Sequence, residues 1–246
     1  MSELIGKRAL VTGASRGIGA GIALALAEKG ADVAITYERS ADRAAAIVRA
    51  IEAKGRRAVA IQADSADSAA VKRSVAEAVE ALGGLDILVN NAGIARIGPF
   101  VDMRLEDIEA ILAVNIRAVL LASQAAIAHF DKGGRIITVG SSMAERVPFA
   151  SLTAYATSKA ALLGFTRSLA REIGPAGHTA NLVQPGPIDT DLNRADGPLS
   201  AVNIPLTALH RYGTTAELAA VVAFLASPAA SYVTGSVVTA DGGFNA

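Results

Sequence analysis

Short apolar runs alternate with segments of helical periodicity along all 246 residues, and few folds are compatible with that alternation. Arg8–Thr12, Val33–Thr36, Ala58–Gln62, Ile87–Asn90, Arg135–Gly140, Ala180–Gln184 and Ser236–Ala240 read as strands. Between them apolar residues recur three and four apart, as in Ile18, Ile22, Ala25 and Leu26, or Val71, Val75, Val79 and Leu82. Long helices are expected around Leu105–Phe130 and Thr153–Ile173, and another at Glu217–Leu225. Gly30, Gly55 and Gly83-Gly84 close the first three helices, and Ser40 stands where an N-cap belongs. Strands apolar at successive positions are buried on both faces, which requires parallel pairing with helical crossovers. The expected architecture is α/β: a doubly wound parallel sheet of about seven strands with helices on both faces.

Composition narrows the chemistry. The chain has no cysteine, which excludes disulfides, a thiol nucleophile and thiolate metal sites, and fits a reducing, cytoplasmic setting. Its 23 Lys and Arg balance 23 Asp and Glu, so no basic face for nucleic acid is indicated. No metal cluster is expected either, because His129, His178 and His210 are isolated. The first residues, Met1-Ser2-Glu3-Leu4-Ile5, lack the apolar stretch of a signal peptide. Leu218–Ala240 is free of charge and long enough to span a bilayer, but Pro228, Gly235 and its hydroxyl residues suit a helix stop and a buried strand better. No membrane partner is expected.

Thr12-Gly13-Ala14-Ser15-Arg16-Gly17-Ile18-Gly19 joins the first strand to the first helix. A glycine-rich turn at that junction lets backbone approach a pyrophosphate and aims the N-terminal N–H groups of the helix at it. The spacing, G-x-x-x-G-x-G, differs from the usual dinucleotide fingerprint, G-x-G-x-x-G. An enzyme using NAD would end its second strand on an acid to hold the ribose 2′-hydroxyl. Tyr37 stands there instead, with Arg16, Arg39 and Ser40 available to a 2′-phosphate, although Glu38 adds an acid next to them. NADP(H) is the expected cofactor, since the guanidinium fork matches phosphate.

Tyr155 and Lys159 are four residues apart, on one helix face. A neighbouring ammonium stabilises a phenolate and brings a tyrosine closer to acid–base work at neutral pH. Asn90-Asn91-Ala92-Gly93 closes the fourth strand and Gly140-Ser141-Ser142 the fifth, while Asn115 interrupts an apolar helix. Ligands of open α/β sheets bind beyond the carboxyl ends of the strands, where these motifs converge. Residues 185–213, rich in Pro, Gly, Asn and Asp, read as a substrate-binding lid.

With Asn181, Pro185-Gly186 and Asp241-Gly242-Gly243, these motifs, in order from Val11 to Gly243, resemble the short-chain dehydrogenase/reductase family, especially NADPH-dependent carbonyl reductases and 3-oxoacyl-carrier-protein reductases. The resemblance implies that residues 1–246 form a single Rossmann-type dinucleotide-binding and catalytic domain. It further implies a catalytic set of Asn115, Ser141, Tyr155 and Lys159. Tyr155 would exchange the proton with a carbonyl or alcohol, Lys159 would lower its pKa and hold the nicotinamide ribose, and a serine would polarise the carbonyl. Asn115 would bend its helix and hold a relay water. Position after the strand selects Ser141 for the serine; a spacing of 13 residues before Tyr155 selects Ser142. The implied cofactor contacts are Gly13, Ser15, Arg16, Gly17, Ile18, Gly19, Tyr37, Arg39, Ser40, Asp64, Ser65, Asn91, Ala92, Gly93, Tyr155, Lys159, Pro185, Gly186, Ile188 and Thr190, with Asn90 under the adenosine ribose.

The substrate pocket is expected between Ile94–Arg96, Ala144–Leu152 and the lid, mainly apolar, with Glu145 and Arg146 either admitting a polar group or pairing with each other. The implied function is reversible transfer of hydride between NADPH and a ketone. One alternative is a 3-oxoacyl-carrier-protein reductase, docked through Lys132, Arg135, Arg167 and Arg171, although the turn Gly174–His178 lacks the arginine expected there. A non-catalytic nucleotide-binding regulator is the other. Homotetramers are implied by the family; two long apolar helices and an apolar last strand give that weak support.

Overall fold

A computed structural model describes residues 3–246, so Met1 and Ser2 lie outside the described residues. Seven strands form one sheet: β1 (Arg8–Val11), β2 (Asp32–Tyr37), β3 (Ala58–Gln62), β4 (Ile87–Asn90), β5 (Arg135–Val139), β6 (Thr179–Pro185) and β7 (Val237–Ala240). Their order is β3-β2-β1-β4-β5-β6-β7, every pair parallel. Helices α1 (Gly17–Glu28), α2 (Ala41–Glu52), α3 (Ser68–Leu82), α4 (Leu105–Leu112), α5 (Ala118–Ile127), α6 (Thr153–Ile173), α7 (Ser200–Asn203) and α8 (Thr215–Ala226) connect them. The elements agree with the sequence reading to within one or two residues at most ends, and the Rossmann-type winding is as expected.

Strand alternation feeds two cores. Ala9 and Val11 of β1, with Val33, Ile35, Ile87 and Val89, meet Ile22 and Leu26 of α1 and Leu218 and Val222 of α8 on one face. Leu10, Ala34, Leu88 and Ile136 point the other way, onto Val71 and Val75 of α3, Ala122 of α5 and Leu169 of α6. Helix starts differ in how they are closed. Asp67 caps α3, and Thr214 with Glu217 forms a reciprocal capping box on α8. Ser40 sits at the N-cap of α2 without making the side-chain bond expected of it.

The helix expected at Leu105–Phe130 is not one regular helix. Ala113–Arg117 winds as a wider π turn between α4 and α5, centred on buried Asn115. By length and composition Leu105–Ile127 suffices to cross a bilayer, yet it packs beside α3 and α6 and buries that asparagine. In Leu218–Ala240 the helix ends at Ala226, a 3₁₀ turn follows at Pro228–Ala230, and β7 completes the run.

The edge of the sheet where the strands begin is closed by ion pairs. Asp32 accepts hydrogen bonds from Arg56 and Arg57, and Asp86 from the Arg8 backbone N–H and Nε at 3.0 and 2.7 Å, with Lys7 3.5 Å away. Burial pushes the Asp86 carboxyl up, but the Arg8 hydrogen bonds and the Lys7 charge more than offset it, leaving its pKa below the ordinary value. A carboxylate depressed on folding stabilises the protein fully above its unfolded pKa, and that contribution fades as pH falls through the lower folded value. Urea unfolding at pH 7 should show Asp86→Asn less stable than the parent by about 1–3 kcal/mol, with the gap closing below about pH 4. A gap that stays constant with pH would contradict this account.

Candidate active site

The chain leaves β1 toward β2 on one side and returns at β4 on the other, so a crevice opens beyond the ends of β1 and β4. A cleft of about 690 Å³ occupies it. Thr12 holds its two lips together. Its Oγ1 accepts from the Asn91 and Ala92 backbone N–H groups, each at 3.0 Å, and the Asn91 amide donates back to the Thr12 and Gly13 carbonyls at 2.8 and 3.1 Å. A Cβ at Gly19 would stand 2.4 Å from that Asn91 nitrogen, so only glycine admits the tie. Gly17 has φ +58°, in the left-handed region. The start of α1 has no side-chain cap and no acid in its first turn, leaving its N–H groups to a ligand anion.

All twenty cofactor contacts implied by the resemblance line this one cleft: Gly13 and Ser15–Gly19; Tyr37, Arg39 and Ser40; Asp64 and Ser65; Asn91–Gly93; Tyr155 and Lys159; Pro185, Gly186, Ile188 and Thr190. Tyr37 ends β2 where an NAD-type acid would stand. The Arg39 guanidinium is exposed and paired with Glu38 at 2.8 Å. Asn90 is different. It is buried under the sheet rim and donates to Ser123 Oγ at 3.0 Å, so it braces the core and does not reach the cleft.

Ser141 lines the cleft; Ser142 is buried behind it, its carbonyl engaged by Asn245. The structure thus places Ser141, not Ser142, in the cleft lining with Tyr155. Lys159 Nζ donates to the Val139 carbonyl at 3.1 Å and lies 5.9 Å from the Tyr155 ring centre. Asn115 does not line the cleft. Its amide bonds both backbone groups of Ile94 at 2.9 Å and donates to Ser158 Oγ at 2.9 Å; Ser158 donates onward to the Tyr155 carbonyl at 2.7 Å. Ser158, which sequence reasoning missed, thereby ties the π turn to the helix carrying Tyr155 and Lys159. Its place beside Lys159, on the inner face of an apolar helix, is the signal that was available.

The electrostatics depart from expectation. Burial pushes the Tyr155 phenol up, offset only partly by the Ser141 hydroxyl beside it. The ammonium points at a carbonyl, and burial lowers its own pKa to about 8. The pocket walls also differ. Ile94, Ala95 and Arg96 line the cleft, joined by Asp191, Leu192 and Asn193, but residues 144–152 and the apolar side chains after Leu192 do not. Arg146 donates to the Phe244 carbonyl and does not pair with Glu145. Arg135 is buried, and His178 accepts from the Gly134 N–H, so neither is on offer to a partner.

A family model described as enoyl-(acyl carrier protein) reductase matches residues 13–245. A short-chain dehydrogenase from Burkholderia cenocepacia J2315, crystallised with NADP, superposes with a TM-score of 0.98 at 57% identity, covering 99% of this chain and all of that one. The cyclic-di-GMP-binding biofilm dispersal mediator protein of Escherichia coli (strain K12) is 44% identical over the full length of both chains. A 3-oxoacyl-[acyl-carrier-protein] reductase of Staphylococcus aureus is 40% identical, over 96% of this chain and 97% of its own. A glycine turn with no competing cap or acid, facing a serine, a tyrosine and a lysine across one crevice, agrees with these similarities: the chain belongs to the short-chain dehydrogenase/reductase family.

Proposed function

We propose that this protein reduces a ketone to an alcohol at the expense of NADPH, with Tyr155 as the proton donor. The observation that carries the reading is the meeting of two sets of residues in one cleft: the glycine turn with Arg16, Arg39 and Ser40, and Ser141 with Tyr155 and Lys159. The cofactor fits what is present, because the uncapped start of α1 suits a pyrophosphate and Tyr37 with Arg39 suits a 2′-phosphate better than a free ribose hydroxyl. When bound, NADPH supplies the hydride. Ser141 Oγ and Tyr155 Oη grip the substrate carbonyl oxygen, and Tyr155 releases its proton to that oxygen as negative charge develops. A phenol pushed upward by burial stays protonated through neutral pH, which suits reduction rather than alcohol oxidation. The Lys159 ammonium, charged below about pH 8, offsets the negative charge left on the phenol oxygen by that transfer.

Residues 185–213 are read as a lid over the substrate, within one domain spanning 1–246. The protein is read as a cytoplasmic homotetramer; exposed Phe100, Val101, Leu105, Leu112 and Leu120 supply apolar surface for association. A 3-oxoacyl thioester is the alternative substrate, favoured by the S. aureus relative and disfavoured by the burial of Arg135. A regulator that binds a nucleotide without turnover is favoured by the name of the E. coli relative. A complete Ser141, Tyr155 and Lys159 set in the cleft speaks for turnover instead.

NADPH oxidation across a panel of ketones and 3-oxoacyl thioesters tests the reading, and turnover of none of them despite NADPH binding would transfer support to the regulator. With the best panel ketone, Tyr155→Phe and Ser141→Ala should each lower kcat by about a hundredfold or more, and Ser142→Ala by far less. Arg39→Ala should raise KM for NADPH about tenfold with little change for NADH, and Glu38→Gln, which frees the guanidinium, should lower it about twofold. Equal effects on both cofactors would refute the 2′-phosphate assignment. For Lys159 the slope has the same sign as for the paired Asp86, because both pKa values fall on folding: between pH 8 and 10.5 the unfolded chain holds a proton that the folded one has shed, so stability rises with pH. The parent should gain about 2–3 kcal/mol more than Lys159→Met over that interval in urea unfolding, and identical slopes would overturn the assignment.

A further inference from the structure

One hydrogen bond reaches the Ser141 segment from 103 residues further along the chain. Asn245 Nδ2 donates to the Ser142 carbonyl at 2.9 Å. The N–H of that same peptide unit belongs to Met143 and donates to Ser141 Oγ at 3.2 Å. The C=O and N–H of a trans peptide point in opposite directions across a rigid plane. A single plane therefore stands between the Asn245 amide and the hydroxyl that faces Tyr155. The Ser142 oxygen also receives the Glu145 and Arg146 N–H groups at 3.2 and 3.3 Å, both from within its own turn. Asn245 is the shorter partner and comes from outside that turn. Because Met143 N–H occupies one acceptor site of Ser141 Oγ, the hydroxyl proton is turned away from it.

Asn245 is itself firmly placed. Its backbone N–H donates to Asp241 Oδ2 at 3.0 Å, and the Gly243 N–H donates to Asp241 Oδ1 at 2.8 Å. The Asp241 backbone lies so close to Gly186 that a Cβ there would come within 2.7 Å. Phe244 is fully buried against Phe149, and its carbonyl accepts from Arg146. The Asn245 Oδ1, by contrast, is buried with no hydrogen-bond partner, a loss that an apolar side chain would avoid. Stability alone does not account for an amide there.

We infer that Asn245 is a positioning residue for Ser141, fixing the Ser142–Met143 peptide so that the Ser141 hydroxyl presents its proton to the substrate carbonyl. The same segment rests on Gly186, so it joins the serine wall of the cleft to the wall that follows β6. This inference rests on the reading of Ser141 as the carbonyl-polarising group.

The test is a double-mutant cycle on the full chain, with the ketone of highest turnover in the panel. Asn245→Ala should lower kcat at least tenfold while the NADPH Kd, from fluorescence titration, stays within twofold. In a Ser141→Ala background the same change should have less than a twofold effect, since the group it positions is gone. Asn245→Asp keeps the size and backbone contacts but removes the donor, so it should lose at least as much, and it serves if the alanine variant does not fold. A kcat within twofold of the parent, a loss that persists undiminished without the Ser141 hydroxyl, or a parallel rise in NADPH Kd would each overturn the inference. If Ser141→Ala itself leaves turnover intact, the reading of the catalytic set falls first, and the cycle shows that separately.

Discussion

A parallel sheet wound outward from its centre in both directions must send two neighbouring loops opposite ways, and here the split falls between β1 and β4. Past Val11 the backbone ladder between these strands continues only as far as the Thr12 N–H, which donates to the Val89 carbonyl at 3.0 Å, so beyond it a side chain takes over. Thr12 Oγ1 accepts the two N–H groups that follow β4, and Asn91 returns its amide to the carbonyls that follow β1. With these four bonds the glycine turn and the Asn91–Gly93 segment share one crevice at a fixed spacing. A buried N–H left without a partner there would cost more than the bonds themselves contribute, so the tie is obligatory once the winding is set. Everything chemical in the molecule is arranged around that gap.

The second set of walls depends on an irregularity. A regular helix through residues 105–127 would leave no surplus turn for the Asn115 side chain, and the π turn at Ala113–Arg117 supplies one. The Asn115 amide is then fully engaged by Ile94 and Ser158. Ile94 belongs to the loop after β4, and Ser158 to the helix of Tyr155 and Lys159, so one side chain registers two walls of the cleft against each other. Gly93 leaves the space between: a Cβ there would approach the Lys159 ammonium to 3.4 Å and Asn115 Oδ1 to 3.5 Å.

The sheet and the cleft floor were legible in the sequence because their signals are local. Runs such as Ile87–Asn90 and Ala58–Gln62 announce buried parallel strands, and the residues that follow each strand lie at its carboxyl end whatever else happens. What escaped depends on contacts between distant residues. Asn90 and Asn91 look alike in the sequence; alternation sends one side chain under the sheet and the other to the cleft. Within the expected wall Ala144–Leu152, Arg146 donates to the Phe244 carbonyl and Phe149 packs on the Phe244 ring, partners almost a hundred residues away. The acidifying effect assigned to Lys159 required an ammonium aimed at the phenol, and spacing on a helix cannot specify where a flexible four-carbon stem ends.

Buried charge is treated oppositely at the two edges of the sheet. Where the strands begin, Asp32 and Asp86 are each matched by two cations, and the charges are neutralised locally. Where the strands end, Lys159 is as deeply buried as either, yet among the described residues no carboxylate stands within ion-pair distance of it. The uncompensated ammonium lowers its own pKa to about 8 and costs stability at neutral pH. A carboxylate placed beside it would relieve that cost, but it would also cancel the positive field in the cleft. Left unpaired, with the uncapped start of α1 on the same cleft, the ammonium gives the crevice a positive field that suits a dinucleotide's phosphates. The site is thus a place where the fold gives up stability to keep a charge free for its ligands, and the paired carboxylates at the opposite edge help the sheet to bear it.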